Sequence, residues 1–251
     1  MASGVTQFLR FEDPSAFAAP DSLPQQLERH IQRDIIRLRL APGTKLVEED
    51  LCRTYGVSRS PIREALSGIE AGGLAIRRPR RGVYVTPMTA RNLDELYDCR
   101  VWLEGRAAFH AATNHTDAQL ASMRGLLKQM ADARRGANGE RMFEANVQLT
   151  DILHQASDSQ VLQSQLAQLD RQALRYRYYC YLKDSQILED DLQANVRLVD
   201  QIEAGDGEAA QATTQTLVRH SWGAVRAVLQ SHDPEGLPAN AAGPGPAHEL
   251  H

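Results

Sequence analysis

The chemistry most visible in this sequence is that of forked cations. Arg59 and Arg63 stand four residues apart with Ser60 between them, a spacing that puts both arginines on one face of a helix. Arg77, Arg78, Arg80 and Arg81 crowd around Pro79 a few residues later. A guanidinium presents planar donors that match phosphate oxygens or the acceptor edge of guanine. Two such clusters on one small module are what a duplex-binding surface needs. The charge balance agrees: residues 22–88 hold 12 Lys/Arg against 7 Asp/Glu, while the whole chain carries −4, so residues 89–251 are acidic. Taken alone, that balance also describes an ordinary solvated surface.

The elements that must hold these arginines are legible from periodicity. Leu23, Leu27, Ile31 and Ile35 recur every fourth residue, the stripe of an amphipathic helix, and Ala41-Pro42-Gly43 stops it. A second helix is predicted over Glu48–Tyr55 with Leu51 inward. Gly56-Val57 forms a tight turn, for which Gly56 suits a positive φ. Ser58 is placed to cap a third helix whose first turn tolerates Pro61. Ala65, Leu66 and Ile69 give that helix a buried face, leaving Arg59, Ser60, Arg63 and Glu64 outside, and Gly72-Gly73 ends it. Two short β runs follow, Leu74–Arg77 and Gly82–Val85. Three helices and a hairpin predict a winged helix-turn-helix, with the third helix in the major groove and the wing arginines against backbone or minor groove.

Beyond Pro87 the pattern is helical throughout. Helices are predicted over 90–114, 117–135, 140–156, 159–186, 188–204 and 207–230, with no alternating strand pattern among them. The fold class is therefore mainly α: a winged helix-turn-helix at 22–88 and an all-helical bundle at 89–230. Residues 1–21 and 231–251, the latter containing Gly243-Pro244-Gly245-Pro246, are expected to be disordered tails. No apolar run nears the length of a membrane span, and the first residues lack a signal-peptide pattern. Cys52, Cys99 and Cys180 are scattered and odd in number, which suits a reducing cytoplasm.

The stretch 51–87 closely resembles the DNA-binding domain of GntR-type regulators, above all in "YGVSRSPIREAL" and the wing "RRPRRGVYV". The resemblance implies DNA contacts from Arg59, Ser60 and Arg63, with Ser58 at the helix start, Arg53 on the preceding helix, and Arg80, Arg81 and Gly82 in the wing. Gly82 would let the wing backbone approach the groove closely. The remainder resembles the effector domain of the FadR-like branch, the FCD domain, in "LDELYDCRVWLEGRAAFHAA" (93–112), "LTDILHQAS" (149–157) and "DQIEAGDGEAA" (200–210).

Many members of that branch hold a divalent metal, zinc or nickel, through one Asp and three His. Carried over by position, His154 matches the first histidine, but the Asp falls on Thr150, the second histidine on Asn195 and the third on Leu217. Two readings follow. Either the pocket reads its ligand directly, without metal, or a slightly shifted register leaves Asp151, His154, Asn195 and His220 as a weaker metal site. The resemblance implies an effector pocket that includes Arg100, His154, Tyr176 and Asn195. Arg100 could meet an effector carboxylate with two parallel hydrogen bonds, or simply pair with Glu104 one turn on.

The run "RYRYYCYL" (175–182) mimics a base-stacking surface, but its helical setting favours tyrosines lining an effector pocket or a dimer seam. Trp102 and Trp222 read as core. The expected function is a cytoplasmic, homodimeric repressor that leaves a palindromic operator when a small carboxylate binds. An enzyme centred on His154 and a non-specific architectural DNA binder are the alternatives. The first lacks a nucleophile-plus-base arrangement, and the second leaves the bundle without a purpose.

Overall fold

A computed structural model describes residues 22–183 and 186–231. The expected disordered tails lie outside these residues, apart from Ser231. The described chain divides into two compact units, residues 22–88 and 89–231.

The first unit opens with α1 (Leu23–Ile36), started by a capping box in which Gln25 receives the Ser22 backbone N–H at 2.9 Å. Next come β1 (Lys45–Leu46), α2 (Glu48–Tyr55), α3 (Arg59–Ala71), β2 (Ala75–Arg78) and β3 (Gly82–Val85). The three strands form one antiparallel sheet in the order β1-β3-β2. Strand β1 is absent from the sequence-based expectation, because two residues are too few to show alternation. Leu27, Ile31 and Ile35 of α1 meet Ile62, Leu66 and Ile69 of α3 over Val83 and Val85 of the sheet. Leu23, the first residue of the predicted stripe, is exposed instead.

The second unit is wholly helical among the described residues: α4 (Ala90–Asn114), α5 (Asp117–Arg135), α6 (Gly139–Ala156), α7 (Gln160–Lys183), α8 (Gln186–Glu203) and α9 (Gly207–Ser231). Thr89, Thr116 and Asn138 cap α4, α5 and α6 with side-chain oxygens. Helix α4 packs along α9, with Gly105 against it and Ala108, Ala111 and Ala112 buried. A methyl group at Gly105 would lie 2.8 Å from Gln215 of α9, so the helices approach closely because this position has no side chain. Helix α7 is buried on every side from Ala173 to Tyr181, which makes it the centre of the bundle. No helix among the described residues is long and apolar enough to cross a membrane.

Candidate nucleic-acid interface and effector cavity

In the first unit, Gly56 adopts the left-handed conformation at φ 65°, ending α2 and turning the chain into α3. Ser58 occupies the N-cap position of α3, yet its side chain makes no capping hydrogen bond. Its hydroxyl and the first N–H groups of α3 are left at the exposed helix start, a donor set suited to a phosphate. Arg59, Ser60, Arg63 and Glu64 all lie on the exposed face, as their spacing predicts. Arg63 donates through Nε to Glu48 at 2.9 Å, and Arg53 lies 3.5 Å from Asp50. Both pairs are exposed enough to exchange readily for phosphate.

The wing tip is a tight turn at Arg78-Pro79-Arg80-Arg81, closed by the Arg81 N–H to the Arg78 carbonyl at 3.0 Å. Arg80 is held at φ 61° and Gly82 at φ 101°. Only glycine is at ease at the latter, and an arginine pays for the former in backbone strain. Arg77 pairs with Glu70 and Arg78 stacks over Tyr84. Arg59, Arg80 and Arg81 are exposed and enter no ion pair among the described residues.

The second unit encloses a cavity of about 40 Å³ among α4, α6, α7, α8 and α9, walled by Arg100, Glu104, Asn146, Arg177, Asp191 and Asn195 with Thr150, Thr214, Leu217 and Ser221. Arg100 is 3% exposed. It bonds Glu104 at 2.5 Å, approaches Asp170 at 3.4 Å and lies over the Tyr97 ring at 4.6 Å. Burial disfavours its charge, but Glu104, Tyr97 and Asp170 outweigh that and hold the guanidinium protonated. The two sequence readings of Arg100 thus merge: it pairs with Glu104, yet still lines the cavity with an Nη1 that has no hydrogen-bond partner.

Arg177 donates to Asn146, and Tyr181 donates to Asp191 at 2.5 Å. Burial raises the Asp191 carboxyl above its ordinary value; Tyr181, Arg177 and His220 oppose this and Asp190 adds to it. Arg177, Asn146 and Asp191 were missed by sequence reasoning. Arg177 hid within a run read for its tyrosines, although an arginine midway through a long buried helix is itself a signal.

The four proposed metal ligands do not come together. Asp151 accepts a hydrogen bond from Gln155, and His154 turns its Nδ1 to Asp170 at 3.6 Å. Asn195 lines the cavity but donates to the Asp191 carbonyl, and half-exposed His220 faces Asp190 at 3.6 Å. Among the described residues no three His, Cys, Asp or Glu side chains form a metal-capable group. The reason is angular: Thr150 points into the cavity, and Asp151 lies about 100° further round α6. A cavity walled by two guanidiniums and no histidine does not fit a divalent ion.

Tyr176, expected in the effector pocket, does not line the cavity; its hydroxyl bonds both the N–H and the carbonyl of Thr89, at 3.2 and 3.4 Å. Nor do the other tyrosines form an outward seam. Tyr178 and Tyr181 pack edge-on against Phe143 inside the unit. Trp222 is half-buried and donates to Asp94, whereas Trp102, expected in the core, is 58% exposed.

Residues 95–220 match the FCD domain, half of the chain, and residues 23–85 match the bacterial regulatory proteins of the gntR family. The chain belongs to the GntR family. It is therefore a DNA-binding, ligand-responsive transcription regulator, and its relatives are regulators rather than enzymes. The HTH-type transcriptional repressor RspR of Escherichia coli K12 is 29% identical over 213 residues, covering 83% of this chain and 91% of that protein. McbR of the same strain is 27% identical over 148 residues, 59% of this chain and 67% of that one. The solved E. coli McbR/YncC shares the fold of this GntR regulator at a TM-score of 0.72 and 23% identity, over 84% of this chain and 99% of that one. A GntR regulator from Rhodococcus sp. RHA1 does so at 0.67 and 21%, over 84% and 100%.

Proposed function

We propose that this regulator is a cytoplasmic repressor that binds a palindromic operator as a homodimer and leaves it when a small organic acid enters the helical unit. The observation that carries the reading is the exposed, unpaired set of Arg59, Arg80 and Arg81 on one small unit, beside the exposed start of α3. Arg59, Ser60 and Arg63 read base edges and phosphates in the major groove, Ser58 and Arg53 take phosphates, and Arg80, Arg81 and Gly82 follow the neighbouring backbone. Two copies set their recognition helices about one helical turn of DNA apart. The similar regulator RspR is a transcriptional repressor, which supports the sign of regulation. The effector acts by favouring one pose of the DNA-binding units over another, which requires unequal affinity for the two.

Gel-shift titration of the operator against a scrambled duplex tests the reading. Arg63→Ala should weaken operator binding about tenfold to a hundredfold and relax discrimination at one base pair of each half-site. Equal affinity of the unaltered protein for both duplexes would instead favour an architectural DNA binder.

A further inference from the structure

We propose that the effector is a small amino-carboxylate whose acid group is held by Arg100 and Arg177 and whose ammonium is held by Asp191. This deepens the preceding reading, since it assumes that the enclosed cavity is the effector site.

The unsatisfied atoms of the cavity wall point to that ligand. Arg100 Nη1 and Nε, Glu104 Oε1, Asp191 Oδ1 and Thr214 Oγ1 are each buried without a hydrogen-bond partner on residues that line the cavity, although Glu104 Oε1 is ion-paired with Arg100. Buried polar atoms left unpaired are costly, so a wall that carries several is shaped for something that pairs them. The Arg100 atoms are donors bearing positive charge, Asp191 Oδ1 is a negatively charged acceptor with no cation in ion-pair contact, and the hydroxyl is either. A plain carboxylate answers Arg100 and leaves Asp191 unanswered.

Charge counting separates the classes further. The wall carries two guanidiniums, Arg100 and Arg177, against two carboxylates, Glu104 and Asp191. Asp170, behind Arg100, adds a third carboxylate. A bare anion would bring further negative charge into a buried site that already sets three carboxylates against two guanidiniums, which desolvation penalises heavily. An amino acid brings both signs and no net charge. Glu104 is already committed to Arg100 at 2.5 Å, whereas the hydrogen-bonded partner of Asp191 is the neutral Tyr181 hydroxyl, on the other carboxylate oxygen. Asp191 is therefore the carboxylate left for an ammonium.

Size and access set the rest. The cavity is small, with room for about three water centres, so it admits only a ligand of a few heavy atoms. Asp191 and Leu217 line both the cavity and a wider groove of about 530 Å³ between α8 and α9, which also carries Asp190, Arg197 and His220. Asp191 stands at the threshold, so the ligand enters acid first and stops with its ammonium at the mouth.

Calorimetric titration of the full chain with four matched three-carbon probes decides the matter: L-alanine, L-lactate, propionate and propylamine. Alanine should bind about tenfold to a hundredfold tighter than propionate, as a hydrogen bond to a charged partner supports, and should release operator in a parallel gel shift. Asp191→Asn should abolish that preference without weakening propionate. Lactate or propionate matching alanine, with operator released, would overturn the amino-carboxylate assignment and leave the effector cavity standing. Failure of all four both to bind and to release operator would overturn the cavity reading as well. The comparison among probes on the unaltered protein needs no variant to fold.

Discussion

The two units use the same side chain in opposite ways. In residues 22–88, Arg59, Arg80 and Arg81 stand in solvent with no carboxylate beside them, and Arg63 and Arg53 lean on exposed, exchangeable partners. In residues 89–231, Arg100 and Arg177 are buried and already hydrogen-bonded or paired before any ligand arrives. An exposed guanidinium costs the fold nothing and keeps its donors for phosphate. A buried one must be neutralised in advance, and the residues that neutralise it also decide which ligand the site accepts. On the function proposed above, DNA binding is built from what was left unpaired, and effector binding from pairing that stops short of completion.

The sharpest way to break this contrast is to remove one arginine from each set and compare stability. Arg100→Ala leaves Glu104 and Asp170 buried without their cation and should destabilise the protein by about 3–5 kcal/mol, read as a drop in C_m in urea. Arg63→Ala, by the same measurement, should stay within about 0.5 kcal/mol of the unaltered protein. Equal losses from both would erase the distinction.

A smaller effect separates strain from binding in the wing. Arg80 sits at φ 61°, so Arg80→Gly relieves an unfavourable conformation while removing a phosphate donor. Thermal stability should hold or rise by up to about 1 kcal/mol. Operator affinity should fall alike for all sequences, with the salt slope shallower by about one. A loss of stability in Arg80→Gly would show that the arginine is held by contacts rather than strained.

The smallest effect lies in the cavity. The Asp191 carboxyl titrates above its ordinary 3.8 because burial disfavours its charge, with Tyr181 and Arg177 offsetting only part of this. The folded state therefore holds the proton more tightly than the unfolded state. Its contribution is full below about pH 4 and is lost as the pH rises through the raised value. Asp191→Asn, which keeps an acceptor for Tyr181, should melt no lower than the unaltered protein near pH 7 and lose less stability between pH 4 and 7. Parallel pH profiles for the two proteins would show Asp191 to be satisfied as it stands.

What could be read from sequence follows the same division. Surfaces announce themselves through periodicity, so the exposed face of α3 and the wing arginines were legible from Arg59, Arg63 and the run around Pro79. The ends of α2 and α3 followed from Gly56 and Gly72-Gly73. Buried networks are made by residues far apart in the chain. Glu104 was visible as an i+4 partner of Arg100, but Asp170 and Arg177 reach the same place from α7 with no local pattern to mark them. Trp102 misled because a large apolar residue says nothing of which face it occupies when small residues, here Ala108 and Ala111, carry the packing.

Tyr176 ties Thr89, the N-cap of α4, to the helix that carries Arg177. Thr89 is also where the chain passes from one unit to the other. The helix that brings Arg177 to the cavity thus also bonds Thr89, and through peptide atoms that substitution of Thr89 leaves in place. Sequence drift at Thr89 would cost α4 its side-chain cap, while the grip of Tyr176 on the peptide atoms persists.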